Sequence, residues 1–145
     1  MHHRAPDAPS AVVELLVDAL AHRVAPWVRE LGMRLLDAGD AGVTLALPLS
    51  ERLVHAGGAL CGQALMAAAD TAMALAVLQR VGSYKPMSTV QLQTNFVRAL
   101  AADSGEARVV ACVLRMGRSL VYGEVRIVDA KGQLVAHATT TYMML

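Results

Sequence analysis

Asp70 is the residue in this chain best placed to do chemistry, because the neighbours one helical turn away, Met66, Ala67, Met73 and Ala74, are all apolar. A carboxylate in such a setting is costly to bury, and that environment suits a general base. The structural alternative is an Asp tied to Thr71 or to a backbone group of a neighbouring sheet. Gln63 precedes Asp70 by seven residues, two helical turns, so both side chains leave the same side of a helix. Gln63 either binds a substrate carbonyl or caps the first turn. The run Cys61-Gly62-Gln63 falls at or near the start of that helix, where N–H groups lack intrahelical partners and the dipole favours negative charge. Gly62 therefore offers an oxyanion site open to a reacting carbonyl, or else simply allows tight helix–sheet packing. Cys61 has no adjoining His, Lys or Arg to activate it, and reads better as a small buried residue near the substrate than as a nucleophile.

Eight residues separate Gly62 from Asp70, about 12 Å of helix at 1.5 Å per residue. One reacting centre must approach both an oxyanion donor and a base at roughly 3 Å, so two groups acting together must come from different subunits. Around them, His55 precedes the flexible Gly57-Gly58 pair and either orients a water or substrate oxygen or is a solvated loop residue. Ser88 and Thr89 open a strand on opposite faces, so at most one reaches the same pocket. Arg98, Arg115 and Arg118 follow or flank strands, as surface charges or as phosphate ligands. His137 and Asn95 read as structural residues of strand pairing.

The elements that must position these groups are legible from periodicity. Residues 10–24 place Val12, Val13, Leu15, Leu16, Ala19, Leu20 and Val24 at helical spacing, with Ser10 as N-cap and Pro26 just past the end. Segments 32–37 and 43–48 form a hairpin around Gly39, Asp40 and Gly42. A loop, 53–58, leads into a helix over 59–80, apolar around nearly its whole circumference and stopped by Gly82. Segments 88–98, 106–116, 118–128 and 133–144 are four long antiparallel strands; in the third, Val121, Gly123, Val125 and Ile127 alternate with Tyr122, Glu124 and Arg126. A helix of this kind must be wrapped, so the fold class is α+β: a long central helix inside a curved antiparallel sheet of about six strands, with an extra N-terminal helix. Long free edges predict pairing across a two-fold axis, a homodimer at least.

Composition bounds the rest. The 145 residues are 55% hydrophobic, 17% charged and 3% aromatic, which excludes a disordered chain and suits one domain over 10–145 behind a flexible leader, 1–9. Thirteen basic against twelve acidic residues make no field for nucleic acid. Cys61 and Cys112 lack metal or disulfide spacing, so a reducing compartment is expected and no metal or cofactor is implied. Pro6, Asp7 and Pro9 stand where a signal peptide requires an apolar core, so no export signal and a cytoplasmic location are expected. The run 59–81 is long enough to cross a bilayer, but Gln63, Asp70 and Gln79 within it argue for a buried helix.

Four segments in this order resemble the hotdog-fold acyl-CoA thioesterases, specifically the phenylacetate-degradation (PaaI-like) group: Ala69-Asp70-Thr71-Ala72-Met73-Ala74, Thr89-Val90-Gln91-Leu92-Gln93-Thr94-Asn95-Phe96-Val97-Arg98, Gly117-Arg118-Ser119-Leu120-Val121 and Val135-Ala136-His137-Ala138-Thr139-Thr140-Thr141-Tyr142. The resemblance runs over most of the chain from Gly32 onward. It implies that Asp70 is nucleophile or general base, that the Gly62 amide polarises the thioester oxygen from the opposite subunit, and that Thr89 or Ser88 positions the water. Acyl-CoA as substrate and a dimer or dimer of dimers are implied with it, and the arginines become candidates for coenzyme A phosphates. The family's usual His-Gly-Gly nine residues before the acid is here Cys61-Gly62-Gln63, and its Asn fifteen before is His55. That departure leaves room for a non-catalytic module binding acyl-CoA or an acyl carrier; a hotdog hydratase or dehydratase, which normally wants a His/acid pair at the site, is the third reading.

Overall fold

The computed structural model describes residues 10–145; the leader expected over 1–9 lies outside them. Helix α1, Ala11–His22, opens on Ser10, whose Oγ accepts the Val13 N–H at 3.2 Å, and buries Leu16 and Ala19. Pro26 does more than follow the helix. It occupies the first turn of a short second helix, α2, Pro26–Arg29, where a missing N–H costs nothing. Strands β1, Arg34–Gly39, and β2, Gly42–Pro48, form the expected hairpin. A single 3-10 turn, Glu51–Leu53, absent from the periodicity reading, then leads to α3, Gly62–Val81.

Helix α3 starts three residues later than the apolar run suggests. Leu60 is instead drawn into an isolated bridge with Val54, and its N–H donates to Leu100 O at 2.8 Å. The helix ends at Gly82, whose φ of 83° takes the left-handed turn that a side chain would resist. Eleven of its twenty residues are buried, on nearly all sides, because the sheet curls around it. By length and composition α3 is apolar enough to cross a membrane; in this fold 61% of its most apolar 18-residue window is instead packed inside the protein.

Four further strands complete the sheet: β3, Met87–Phe96, β4, Glu106–Met116, β5, Leu120–Val128, and β6, Leu134–Met144. All pairings are antiparallel, in the spatial order β1-β2-β4-β5-β6-β3. The chain therefore leaves β2, runs through α3 and returns at the far edge as β3. The face of the sheet turned to α3 carries Val109, Ala111, Val121, Val125, Ile127, Ala138 and Tyr142, which close the core with Leu65, Ala69, Met73 and Val77 of the helix. Six strands curled around one long helix, with an N-terminal helix added, make a hotdog fold.

One irregularity matters for function. Register in the β3–β6 pair shifts between Thr89 and Gln91, so Val90 is an extra residue without a partner. Beyond the bulge Leu92, Thr94 and Phe96 pair with Thr140, Ala138 and Ala136 on the helix side; before it Thr89 pairs with Tyr142 on that same side. The bulge reverses the parity of the strand. Ser88, paired with Met143, is thereby turned to the outer face, away from α3.

Candidate active site

The midpoint of α3 meets the start of β3 and the end of β6 at Asp70. Its Oδ1 accepts a hydrogen bond from Thr89 Oγ1 at 2.8 Å and a short one from the Tyr142 hydroxyl, which also lies 2.7 Å from Asp70 O. Both hydroxyls fall on Oδ1, so Oδ2 carries neither. The structural alternative through Thr71 does not arise, because Thr71 Oγ1 donates to Ala67 O within the helix. Tyr142 is 3% exposed. Burial first, and then the neighbouring Asp70 carboxylate, push its phenol well above the ordinary value, so it stays protonated and donates.

Tyr142 is not among the candidate residues that sequence spacing singles out, although a signal for it exists. It shares parity with Ala136, Ala138 and Thr140, all buried, and a buried Tyr hydroxyl needs a partner. A cavity of about 230 Å³ opens beside Asp70, lined among others by Thr89, Tyr142, Ala74, Leu78 and Tyr84.

The start of α3 faces a different cavity, of about 410 Å³, lined by His55, Gly62, Leu65, Phe96 and Arg98. Gly62 is the first helical residue, Cys61 the N-cap without a side-chain bond. A Cβ on Gly62 would meet the Phe96 ring at 3.1 Å, so a glycine serves packing here as well as access. His55 is exposed and its Nδ1 accepts the Gly57 N–H at 2.8 Å. Its Nε2 is therefore the nitrogen left to face the cavity. Gln63 is exposed and lines neither cavity.

The three arginines are not brought together. Arg98 lines the Gly62 cavity, whereas Arg115 and Arg118 stand exposed at the β4–β5 connection, and Arg115, paired with Tyr122, belongs to the outer face. His137 Nε2 lies 3.0 Å from Glu124 Oε2, and Asn95 pairs with His137 in the β3–β6 ladder, the structural roles expected of them. Among the described residues no cluster of three or more His, Cys, Asp or Glu could hold a metal ion.

Comparison with known proteins places this geometry in a class. Residues 57–136 match the family model described as the Thioesterase superfamily, and the chain belongs to that family. It is 27% identical over 116 residues, 80% of this chain and 86% of the other, to a Thermoplasma acidophilum protein named "Putative esterase Ta0293". A conserved Pseudomonas aeruginosa protein of solved structure is 30% identical, with a TM-score of 0.77 over 84% of this chain and 95% of that one. The Escherichia coli PaaI protein from the phenylacetic acid degradation operon shares the fold, with a TM-score of 0.80 over 96% of both chains at 15% identity. The PaaI-like hotdog resemblance read from the four sequence segments thus holds, and thioester or ester hydrolysis is the class of chemistry that family membership supports.

Proposed function

We propose that this protein hydrolyses acyl-CoA thioesters to a free acid and coenzyme A, with Asp70 as the base that activates water. The observation that carries the reading is the pair of hydroxyls on Asp70 Oδ1, which fixes the carboxylate and leaves Oδ2 to take a proton from water. In the reaction so assigned, the water oxygen bonds to the thioester carbon as its proton moves to Oδ2. The carbonyl oxygen becomes an oxyanion held by the Gly62 N–H of a second copy of the chain. Collapse breaks the C–S bond, and the proton held on Asp70 passes to the leaving thiolate. Direct attack by Asp70 through an anhydride is the mechanistic variant.

Two features support a site shared between copies. Asp70 and Gly62 open into separate cavities with no lining residue in common. Strand β3 is an edge strand with an exposed bulge residue, Val90 (58%), an exposed last residue, Phe96 (49%), and exposed Val97 (58%) just past its end, surface suited to a twin strand. Arg98, in the Gly62 cavity, is then the arginine best placed for a coenzyme A phosphate.

The test is release of free coenzyme A thiol from short, medium, long and aromatic acyl-CoAs, with wild type beside Asp70→Asn. Hydrolysis lost in a folded Asp70→Asn protein supports the reading. Binding without turnover by wild type would replace it with a non-catalytic acyl-CoA module, and unchanged hydrolysis in Asp70→Asn would remove Asp70 from the mechanism.

A further inference from the structure

The cavity beside Asp70 has a definite shape. Along α3 it is lined by Asp70, Ala74 and Leu78, spaced i, i+4 and i+8, so it runs about 12 Å from the carboxylate towards the helix C-terminus. Its other walls include Ala19 and Val24 from the N-terminal helix and its trailing turn, and Met87 at the start of β3. Beyond Leu78 the helix ends at Val81, and Tyr84 turns back into the cavity wall. There the Arg23 guanidinium lies over the Tyr84 ring, 4.2 Å from its centroid. Both side chains are at the surface, Tyr84 44% exposed, so together they form a stacked plug at the end remote from Asp70.

From this we infer that the cavity is the acyl pocket, and that the Arg23–Tyr84 stack sets the length of acyl group it takes. The inference rests on the thioesterase reading and adds a substrate class to it. At about 30 Å³ for each water-sized group, 230 Å³ holds about eight non-hydrogen atoms, below the ~300 Å³ at which pockets for drug-sized ligands begin. The substrates are therefore short to medium acyl groups, straight or bearing one ring, and not long fatty chains. Of the residues that impose the limit, Arg23, with Ala19 and Val24 beside it, precedes the 57–136 span matched by the family model, whereas Tyr84 lies within it. Acyl size is thus set where the end of α1 meets the segment that follows α3, while the acid comes from the middle of α3.

The experiment measures kcat/KM for acetyl-, hexanoyl-, decanoyl- and palmitoyl-CoA with wild type, Arg23→Ala, Tyr84→Ala and Ala74→Leu. Wild type is expected to favour hexanoyl over palmitoyl. Each plug variant should raise the decanoyl-to-hexanoyl ratio about tenfold, and Ala74→Leu, which narrows the middle of the pocket, should lower the hexanoyl-to-acetyl ratio about tenfold. Tyr84→Ala and Arg23→Ala alter exposed side chains, so a folding failure of Ala74→Leu leaves the test intact. Turnover with ratios unmoved in the plug variants, or palmitoyl preferred by wild type, overturns the pocket assignment and leaves the thioesterase reading standing. No hydrolysis of any acyl-CoA by wild type overturns that reading, and this inference with it.

Discussion

The two points on α3 to which the proposed mechanism assigns groups, its midpoint at Asp70 and its first residue, Gly62, are built in opposite ways. At Asp70 three elements converge, and the carboxylate is fixed through Oδ1 by two side-chain hydroxyls, one from β3 and one from β6, which leaves Oδ2 free of both. At Gly62 the functional group is a backbone N–H, set by the start of the helix and walled by Phe96, with an exposed His55 nearby. A charged group that must change protonation state needs its orientation enforced by partners. An amide that only has to point outwards is positioned by the helix itself. Side-chain identity therefore governs the Asp70 position, and backbone geometry the Gly62 position.

The largest effects should come from breaking either point. Asp70→Asn is expected to lower kcat by about 10² to 10⁴. Gly62→Pro removes the N–H at a first helical position, where proline is accepted, and also sets a Cβ 3.1 Å from the Phe96 ring; with its fold checked by circular dichroism it should lower kcat by about 10² to 10³. If each site pairs Asp70 of one copy with Gly62 of another, mixing the two inactive proteins under subunit exchange should restore about a quarter of wild-type activity: half the dimers are hybrids, each with one intact site. No recovery on mixing, with exchange shown by mass spectrometry, would place both groups in one subunit.

Tyr142→Phe comes next. It leaves Thr89 as the single donor to Oδ1, and kcat should fall about tenfold with KM little changed, at a cost to stability of about 1.5 kcal/mol measured by urea unfolding. Alkaline pH probes the same bond. An unfolded tyrosine titrates near pH ~10, whereas folded Tyr142 keeps its proton to higher pH because it is buried beside Asp70. Above that value the unfolded chain holds fewer protons than the native one, so stability present below about pH 10 is lost as pH rises towards the folded value, by up to about 1.4 kcal/mol per pH unit. The slope should flatten in Tyr142→Phe; an identical slope would detach the phenol from the site's stability. The smallest effect is expected at the Gly62 end, where His55→Ala should change kcat/KM less than about threefold, since Nδ1 serves the loop through Gly57. A loss of about 10² would make His55 a working member of the site.

The core elements were legible because burial imposes period. The wrapped helix shows as apolar residues on every side, and β5 as strict alternation ending in Val125 and Ile127. The elements that escaped, α2 and the turn at Glu51–Leu53, are too short to show a period at all. Asp70 stood out by contrast with its neighbours, and the 12 Å separation from Gly62 followed from helical rise alone. The choice between Ser88 and Thr89 did not follow, because strand parity assigns Leu92, Thr94 and Phe96 to one face and would put Ser88 with them. One unpaired residue, Val90, inverts that assignment, and nothing in its side chain announces a bulge. Arg23 and Tyr84, 61 positions apart, meet only through the packing of α1 on α3.

The bare edge of β3 has a consequence in the cell that reaches past catalysis. An enzyme whose base and oxyanion donor reside on different molecules has its turnover written into its own abundance. Well below the dimer dissociation constant, the fraction of chains holding a complete site rises in proportion to the amount of protein, and total flux as its square. If the site is shared as proposed, halving expression in that regime cuts thioester clearance fourfold, and the strand edge makes a simple hydrolase steeply responsive to gene dose.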